Sequence, residues 1–387
     1  PGESLRRDGS EPRGGCVEMQ LRKSAAVEKC SRYSMYRHRK MSEGSCIEGA
    51  CRKESTESEQ EGKMEGQNEK GRKWKQEQGM EAGGLTVVES SFCYHAWRIN
   101  RSVTPWKVTS EIKLFQQPRD VELYRRERTY EKAGRPCRIV TLDESCLAGR
   151  EPHVGLFQSL SDAVYDGIQR GDRILVSSGY CDLAPAVAGG IQRAVGMDQT
   201  IGVIWIDAHS DNRIVETSEM EEVRFVSIPV SVMCGQTMEE WRKTACGLEA
   251  PVEGKHLLVS DGRMNNQEFD ENLRAVGAKK LNSEEFENEE IWKKAVQELA
   301  EQVDVLYLSV DADILKKEYL PAYEGEVPGG HELSTVDERI RTVMETGKVL
   351  AFSVFCVDFD RYEQGGEQMY RSGQRLIEAG LESWKGI

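Results

Sequence analysis

The chain has 387 residues, with 66 acidic against 52 basic side chains, a formal net charge of -14 and a pI near 5.2. That acidity argues against nucleic acid and anionic membrane surfaces as partners, and the length suits one large α/β domain plus an appendage. No apolar run approaches the ~18 residues of a membrane span and no signal-peptide pattern opens the chain, so a soluble, cytoplasmic protein is expected. The 11 cysteines are odd in number and irregularly spaced, and several fall inside apolar strand-like runs. Reduced thiols fit this better than a disulfide scaffold.

Residues 1–79 differ in kind from the rest. They are crowded with Arg, Lys, Glu, Ser and Gly, show no apolar period, and scatter Cys16, Cys30, Cys46 and Cys51 without metal-site spacing. Such a segment cannot bury enough surface to offset chain entropy. It is read as disordered or as a non-native extension, with a true start nearer Met64 or Met80; a regulatory or targeting arm is the alternative. The folded domain is expected over 80–387. There, Leu85-Thr-Val-Val-Glu and Arg138-Ile-Val-Thr-Leu read as strands, and 155–170, with Leu156, Leu160, Val164 and Ile168 on one face, reads as a helix closed by Gly171. Arg173-Ile-Leu-Val is the next strand, followed by a small-residue helix over 183–195 suited to close packing on the sheet. Strands at Ile201, His256, Val305 and Val349 alternate with helical text such as 284–302, and 365–384 reads as a closing helix. This alternation predicts a three-layer αβα fold with a central, mostly parallel sheet.

The chemistry is concentrated where two of these strands end. Ile201-Gly-Val-Ile-Trp-Ile is apolar until Asp207, and Asp207, His209 and Asp211 follow at alternate positions, so an extended strand end would place them on one face. Alone, this triplet fits a charged turn as well as a metal site. Val305-Leu-Tyr-Leu-Ser-Val is a second buried-strand run, ending in Asp311 and Asp313. In an open α/β sheet ligands gather at the carboxyl ends of strands, so the two acidic ends can meet. Buried carboxylates repel and resist desolvation, and a pair of divalent cations removes that cost. Oxygen-rich ligation with one imidazole suits Mn²⁺.

Asp-Ala-His-Ser-Asp at 207–211 and Ser-Val-Asp-Ala-Asp at 309–313 resemble the two signature motifs of the ureohydrolase family, which includes arginase, agmatinase and formimidoylglutamase. Pro321, Ala322, Pro328, Gly329 and Gly330 resemble the segment that follows the second motif. The likeness runs from about Leu85 to the C-terminus. It implies an arginase-like fold and two divalent ions, Mn²⁺ by preference. One ion would be held by Asp207, Asp211, Asp311 and a residue from the loop after the Arg173 strand, the other by His209, Asp207, Asp311 and Asp313, with Asp207 and Asp311 bridging. A hydroxide formed between the ions would attack the carbon of a small guanidino, amidino or formimino substrate, with Asp211 or Asp313 as the catalytic proton carrier. A homo-oligomer, trimer or hexamer, is implied by the same likeness.

Four departures from the family pattern bear on activity. Cys181, in Ser178-Gly-Tyr-Cys-Asp182, takes the place of a metal-binding His; a thiolate there shifts preference toward Zn²⁺ or Fe²⁺. Lys316-Lys317 replaces an Asp-Pro. Cys356 stands where the resemblance implies a Glu that grips the guanidinium, leaving Asp358 or Asp360 as substitutes. Arg224 to Pro229 lacks the family's loop His. Asn212 and Arg213, next to the ligands, are candidates for contact with a substrate carboxylate. Two other readings stay open: a non-catalytic arginase-fold protein that binds metal or a small ligand, and a deacetylase-like hydrolase with one Zn²⁺.

Overall fold

The computed structural model describes residues 83–385 apart from 91, 115–118, 326 and 360. The expectation for residues 1–79 therefore lies outside the described residues. Among the described residues eleven strands form two sheets: β1 (Leu85–Ser90), β2 (Phe92–Asn100), β3 (Lys107–Leu114), β4 (Cys137–Leu142), β5 (Arg173–Val176), β6 (Ile201–Asp207), β7 (Glu222–Arg224), β8 (Leu257–Asp261), β9 (Lys279–Leu281), β10 (Val305–Asp311) and β11 (Val349–Phe355). The main sheet has eight strands in the order β4-β1-β5-β11-β10-β6-β8-β9, and every pairing in it is parallel. Helices flank it, which gives the three-layer αβα arrangement expected from the alternation of strand and helix text.

Burial follows strand position. All residues of β1, β5, β6, β8 and β11 are buried, whereas edge strands β4 and β9 expose polar side chains. Both faces of the inner strands are covered, so an unbroken apolar run is stable there. Burying Ile201, Val203, Ile204, Trp205 and Ile206 of β6 removes enough apolar surface from water for a gross gain on the order of 10 kcal/mol, before chain entropy is set against it.

Three local readings are refined. The helical text over 284–302 is two helices, Ser283–Glu287 and Glu289–Gln302. Asn282 starts the first with a capping box to Glu285, and Asn288 restarts the chain by accepting from the N–H groups of Glu290 and Ile291. The small-residue helix, Ala184–Val195, uses its glycines to approach a loop and a neighbouring helix: a Cβ on Gly189 would lie 1.9 Å from the Cys246 carbonyl oxygen. A Cβ on Gly190 would lie 2.6 Å from the Ser161 carbonyl oxygen and from Val164, both on the helix Pro152–Gln169. An antiparallel sheet, β3-β2-β7, has no counterpart in the sequence reading. Its β3 carries four charged or hydroxyl side chains between Val108 and Leu114, with Ile112 the one apolar residue among them, and 101–106 offers no Asn-Gly or Asp-Gly turn to announce a hairpin.

The order of strands places the chemistry. From β5 the chain skips two sheet positions to reach β6, and β11 and β10 later fill the gap. The carboxyl ends of β5, β11, β10 and β6 are thus neighbours, at the kind of reversal in strand order where open α/β sheets form a crevice.

Candidate metal centre

Each of those four strand ends delivers ligand-type side chains. Asp207 closes β6 and is buried; His209 and Asp211 follow in the loop. Asp311 closes β10, and its side chain accepts from the N–H of Asp313 at 3.0 Å, bending the chain into a short 3-10 turn over Ala312–Ile314. After β5 a second 3-10 turn, Cys181–Leu183, brings in Cys181, and Cys356 follows directly on β11. The last two are tied together: the Cys356 N–H donates to the Gly179 carbonyl at 2.8 Å. Asp211 and Cys356 both have left-handed backbones, with φ of 43° and 62°. Non-glycine residues adopt that region rarely, and such strain gathers at functional sites.

Two sets of ligand atoms result. The first joins Asp207, His209 and Asp313, and the second joins Cys181, Asp311 and Cys356; within each set the atoms lie within 4.8 Å of one another. His209 Nδ1 is 2.8 Å from Asp313 Oδ2 and 3.5 Å from Asp207 Oδ1. Asp313 is held further by the Ala208 N–H, at 3.0 Å from Oδ1, and by the Tyr323 hydroxyl, at 3.0 Å from Oδ2.

Without a cation the cluster avoids mutual repulsion only by keeping protons on buried carboxyls. Burial raises the carboxyls of Asp207 and Asp311 well above the usual range, and neighbouring Asp313, with Asp211 for Asp207 and Asp207 for Asp311, raises them further. Burial likewise brings Asp211 to about 7, against the pull of His209. His209 itself would be lowered by burial, but hydrogen bonds to Asp207 and Asp313 hold it up at about 12. One imidazolium thus faces four carboxyls and two thiols. Oδ2 of Asp207 is buried and meets no hydrogen-bond partner among the described residues. An orphaned buried oxygen in a cluster of mutually repelling acids fits divalent cations, so the residues present suit the two-ion site implied by the sequence.

Above the ligands lies a cavity of about 500 Å³. His209, Asp211, Asp311, Asp313 and Cys356 form part of its wall, and Trp97, Tyr180, Arg224, Tyr323 and Phe359 form much of the remainder. Of the residues expected as metal ligands, Cys181, Asp207, His209, Asp311 and Asp313 fall in these sets, Asp207 and Asp311 in different ones, while Asp211 is in neither and lines the cavity. The structure also adds Cys356, expected at the substrate, to one of those sets.

Three residues expected to contact substrate do not line this cavity. Asn212 is fully buried, donating to the Phe269 carbonyl at 2.8 Å and accepting from the Ser210 hydroxyl at 2.6 Å. Arg213 lies over the Phe269 ring at 4.8 Å and 3.5 Å from Glu268. Asp358 accepts from the Tyr370 hydroxyl at 3.0 Å. Adjacency in sequence misled for Asn212 and Arg213, since the loop turns at Asp211. Asp360 lies outside the described residues. Trp97 and Arg224 were missed because they come from the unforeseen antiparallel sheet. Tyr323 had a signal, since it directly follows the Pro321-Ala322 of the motif.

Comparison with known proteins agrees with this geometry. The sequence pattern of the family described as Arginase family matches residues 116–378. Arginase of Emericella nidulans is 26% identical over 230 residues, covering 58% of this chain and 70% of that protein. Formimidoylglutamase of Photorhabdus laumondii is 26% identical over 223 residues, covering 57% of this chain and 65% of that protein. In fold, the arginase of Bacillus caldovelox superposes with a TM-score of 0.60 at 18% identity, over 79% of this chain and 100% of that one. Strand order, the motifs at 207–211 and 309–313, and the match over most of the described residues lead to one conclusion: the chain belongs to the arginase family.

Proposed function

We propose that the chain is a hydrolase that cleaves a C–N bond in a small guanidino, amidino or formimino compound with the help of two divalent metal ions. The observation that carries this reading is the pair of ligand sets, on neighbouring strand ends, facing one cavity of small-molecule size. Asp207, His209 and Asp313 would hold one ion, and Asp311 with Cys181 would hold the other beside Asp211. Bound divalent ions acidify water toward neutral pH and supply Lewis acidity to the carbon under attack. The chain's own residues do the rest. Asp313 is fixed by His209, the Ala208 N–H and the Tyr323 hydroxyl, which leaves it little freedom to move a proton. Asp211 lines the cavity and is in this reading the better placed to carry the proton from water to the leaving amine.

The wall constrains the substrate. Trp97, Tyr180, Tyr323 and Phe359 offer flat apolar faces, and Arg224 offers positive charge to an acidic tail. Cys356 removes the carboxylate that would pair with a guanidinium, so arginine is a poor substrate in this reading. The test is a panel of guanidino, amidino and formimino compounds, with and without carboxylates, assayed for urea, amine or formamide after loading with Mn²⁺, Zn²⁺ or Fe²⁺. Turnover of a non-arginine member is expected. Rapid urea release from arginine, at the ~10 per second of ordinary metabolic enzymes, contradicts the substrate assignment. Binding without turnover of any compound would favour the non-catalytic reading, toward which the loss of the substrate carboxylate at Cys356 also points.

A further inference from the structure

Cys356 has a different setting from the one its sequence position implies. Its sulfur, the sulfur of Cys181 and a carboxylate oxygen of Asp311 lie within 4.8 Å of one another, and all three residues are buried. The backbone enforces the meeting. Cys356 turns into the left-handed region as soon as β11 ends, and its N–H is clamped by Gly179 on the loop that carries Cys181. A non-glycine residue adopts that conformation only at a cost in stability, so the fold holds this thiol against the other in a strained turn. The nearby imidazole of His209 does not serve these groups, because it is engaged by Asp207 and Asp313.

We propose that Cys181, Cys356 and Asp311 form a thiophilic metal subsite for Zn²⁺ or Fe²⁺, beside a separate oxygen- and nitrogen-lined subsite of Asp207, His209 and Asp313 suited to Mn²⁺. This rests on the two-ion reading above and changes it in one respect: Cys356 binds metal, not substrate. Thiolates select Zn²⁺ and Fe²⁺ over Mn²⁺, whereas carboxylates with one imidazole suit the harder ion. Three protein ligands also leave a fourth position, and Cys356 and Asp311 both border the cavity from which it would be filled. On loading, each thiol releases its proton to solvent and both sulfurs coordinate as thiolates.

The test uses the full chain, reduced, stripped of metal, and reloaded with one equivalent of Zn²⁺ and then one of Mn²⁺. X-ray absorption at the zinc edge should show two sulfur neighbours at ~2.3 Å. Cys181→Ser and Cys356→Ser should each lower the sulfur count to one and weaken Zn²⁺ binding by ~100-fold or more, beyond the range of an outer-shell change. Mn²⁺ content should persist in both variants, which shows that they fold. If either variant is insoluble, the sulfur count of the unsubstituted chain decides alone. One sulfur neighbour overturns the role of Cys356. Oxygen and nitrogen neighbours only, in a chain that still binds two ions, overturn the subsite and leave the proposed hydrolase standing. A chain that binds no divalent ion overturns both.

Discussion

Replacing Asp207 by asparagine should change stability in opposite directions with and without metal. Asparagine keeps the shape and the Oδ1 acceptor, which now takes the His209 N–H at 2.6 Å, but removes a charge from a side chain only 1% exposed. Oδ2 has no hydrogen-bond partner among the described residues, and His209 keeps its closer carboxylate, Asp313, at 2.8 Å. In the metal-free protein at a pH where this carboxyl ionises, the substitution therefore relieves an uncompensated buried group, a gain on the order of 1–3 kcal/mol. At roughly 2 °C per kcal/mol for a chain of this size, Tm should rise by about 2–6 °C. The pH dependence has a fixed sign. Burial, then the charges of Asp313 and Asp211, raise the Asp207 carboxyl above its unfolded value. A raised carboxyl favours folding below the usual carboxylate range and loses that contribution as pH rises. The gain from asparagine should thus be largest at alkaline pH and small near pH 4. With metal the order reverses: at ~100 times its dissociation constant an ion adds about 2.7 kcal/mol, which a neutral amide ligand largely forfeits. Thermal denaturation followed by circular dichroism, in chelator and in Mn²⁺, measures both. Destabilisation in both conditions would show that Asp207 is a satisfied structural carboxylate.

Asp261→Asn should destabilise the fold by about 3–5 kcal/mol at neutral pH, because Asp261 joins buried His331 at 2.9 Å, Arg263 at 3.1 Å and Ser283 at 3.0 Å. Burial works to raise this carboxyl, yet the His331 and Arg263 contacts hold it below its usual value. Its contribution is therefore present above the unfolded pKa and fades as pH falls, and the deficit in urea denaturation should shrink below about pH 4. Trp292→Ala should cost about 3–5 kcal/mol, since the ring is fully buried against Phe286 and its Nε1 donates to the Arg339 carbonyl at 3.1 Å. A loss under 1 kcal/mol would mean that the helix Glu289–Gln302 packs differently. Tyr323→Phe removes the hydroxyl that orients Asp313 but keeps the ring against Phe359, so Mn²⁺ affinity by titration calorimetry should fall ~10-fold with Tm of the metal-free chain little changed. Unchanged affinity would assign the hydroxyl to substrate.

The main sheet was legible because its signal is local. Strands such as β6 and β10 are buried on both faces, so the run Ile201 to Ile206 declares itself without knowledge of its neighbours. The candidate ligands were legible for the same reason: Asp207 and Asp311 are the first acidic residues after such runs, and His209, Asp211 and Asp313 follow close behind them. The cavity wall was not. Trp97 and Arg224 reach it only through pairing of β2 with β7, across more than a hundred residues and without a turn signature. Asn212 and Arg213 lie off the cavity wall, for sequence adjacency to a candidate ligand says nothing of direction once the backbone turns at Asp211. Cys356 lay between the two. Its place at the end of β11 was readable, but its meeting with Cys181 depends on the left-handed turn and on the Gly179 clamp, neither of which has a pattern in the residues.

The most direct test of the two-ion centre is metal stoichiometry. The full chain, depleted of metal and re-equilibrated with excess divalent ion, should hold two ions per chain by elemental analysis and equilibrium dialysis. Asp207→Ala and Asp311→Ala, taken in turn, should each lower that number and reduce the thermal stabilisation that metal confers. A chain that holds one ion or none, or alanine variants that each keep two tightly bound ions, would contradict the centre built from these strand ends.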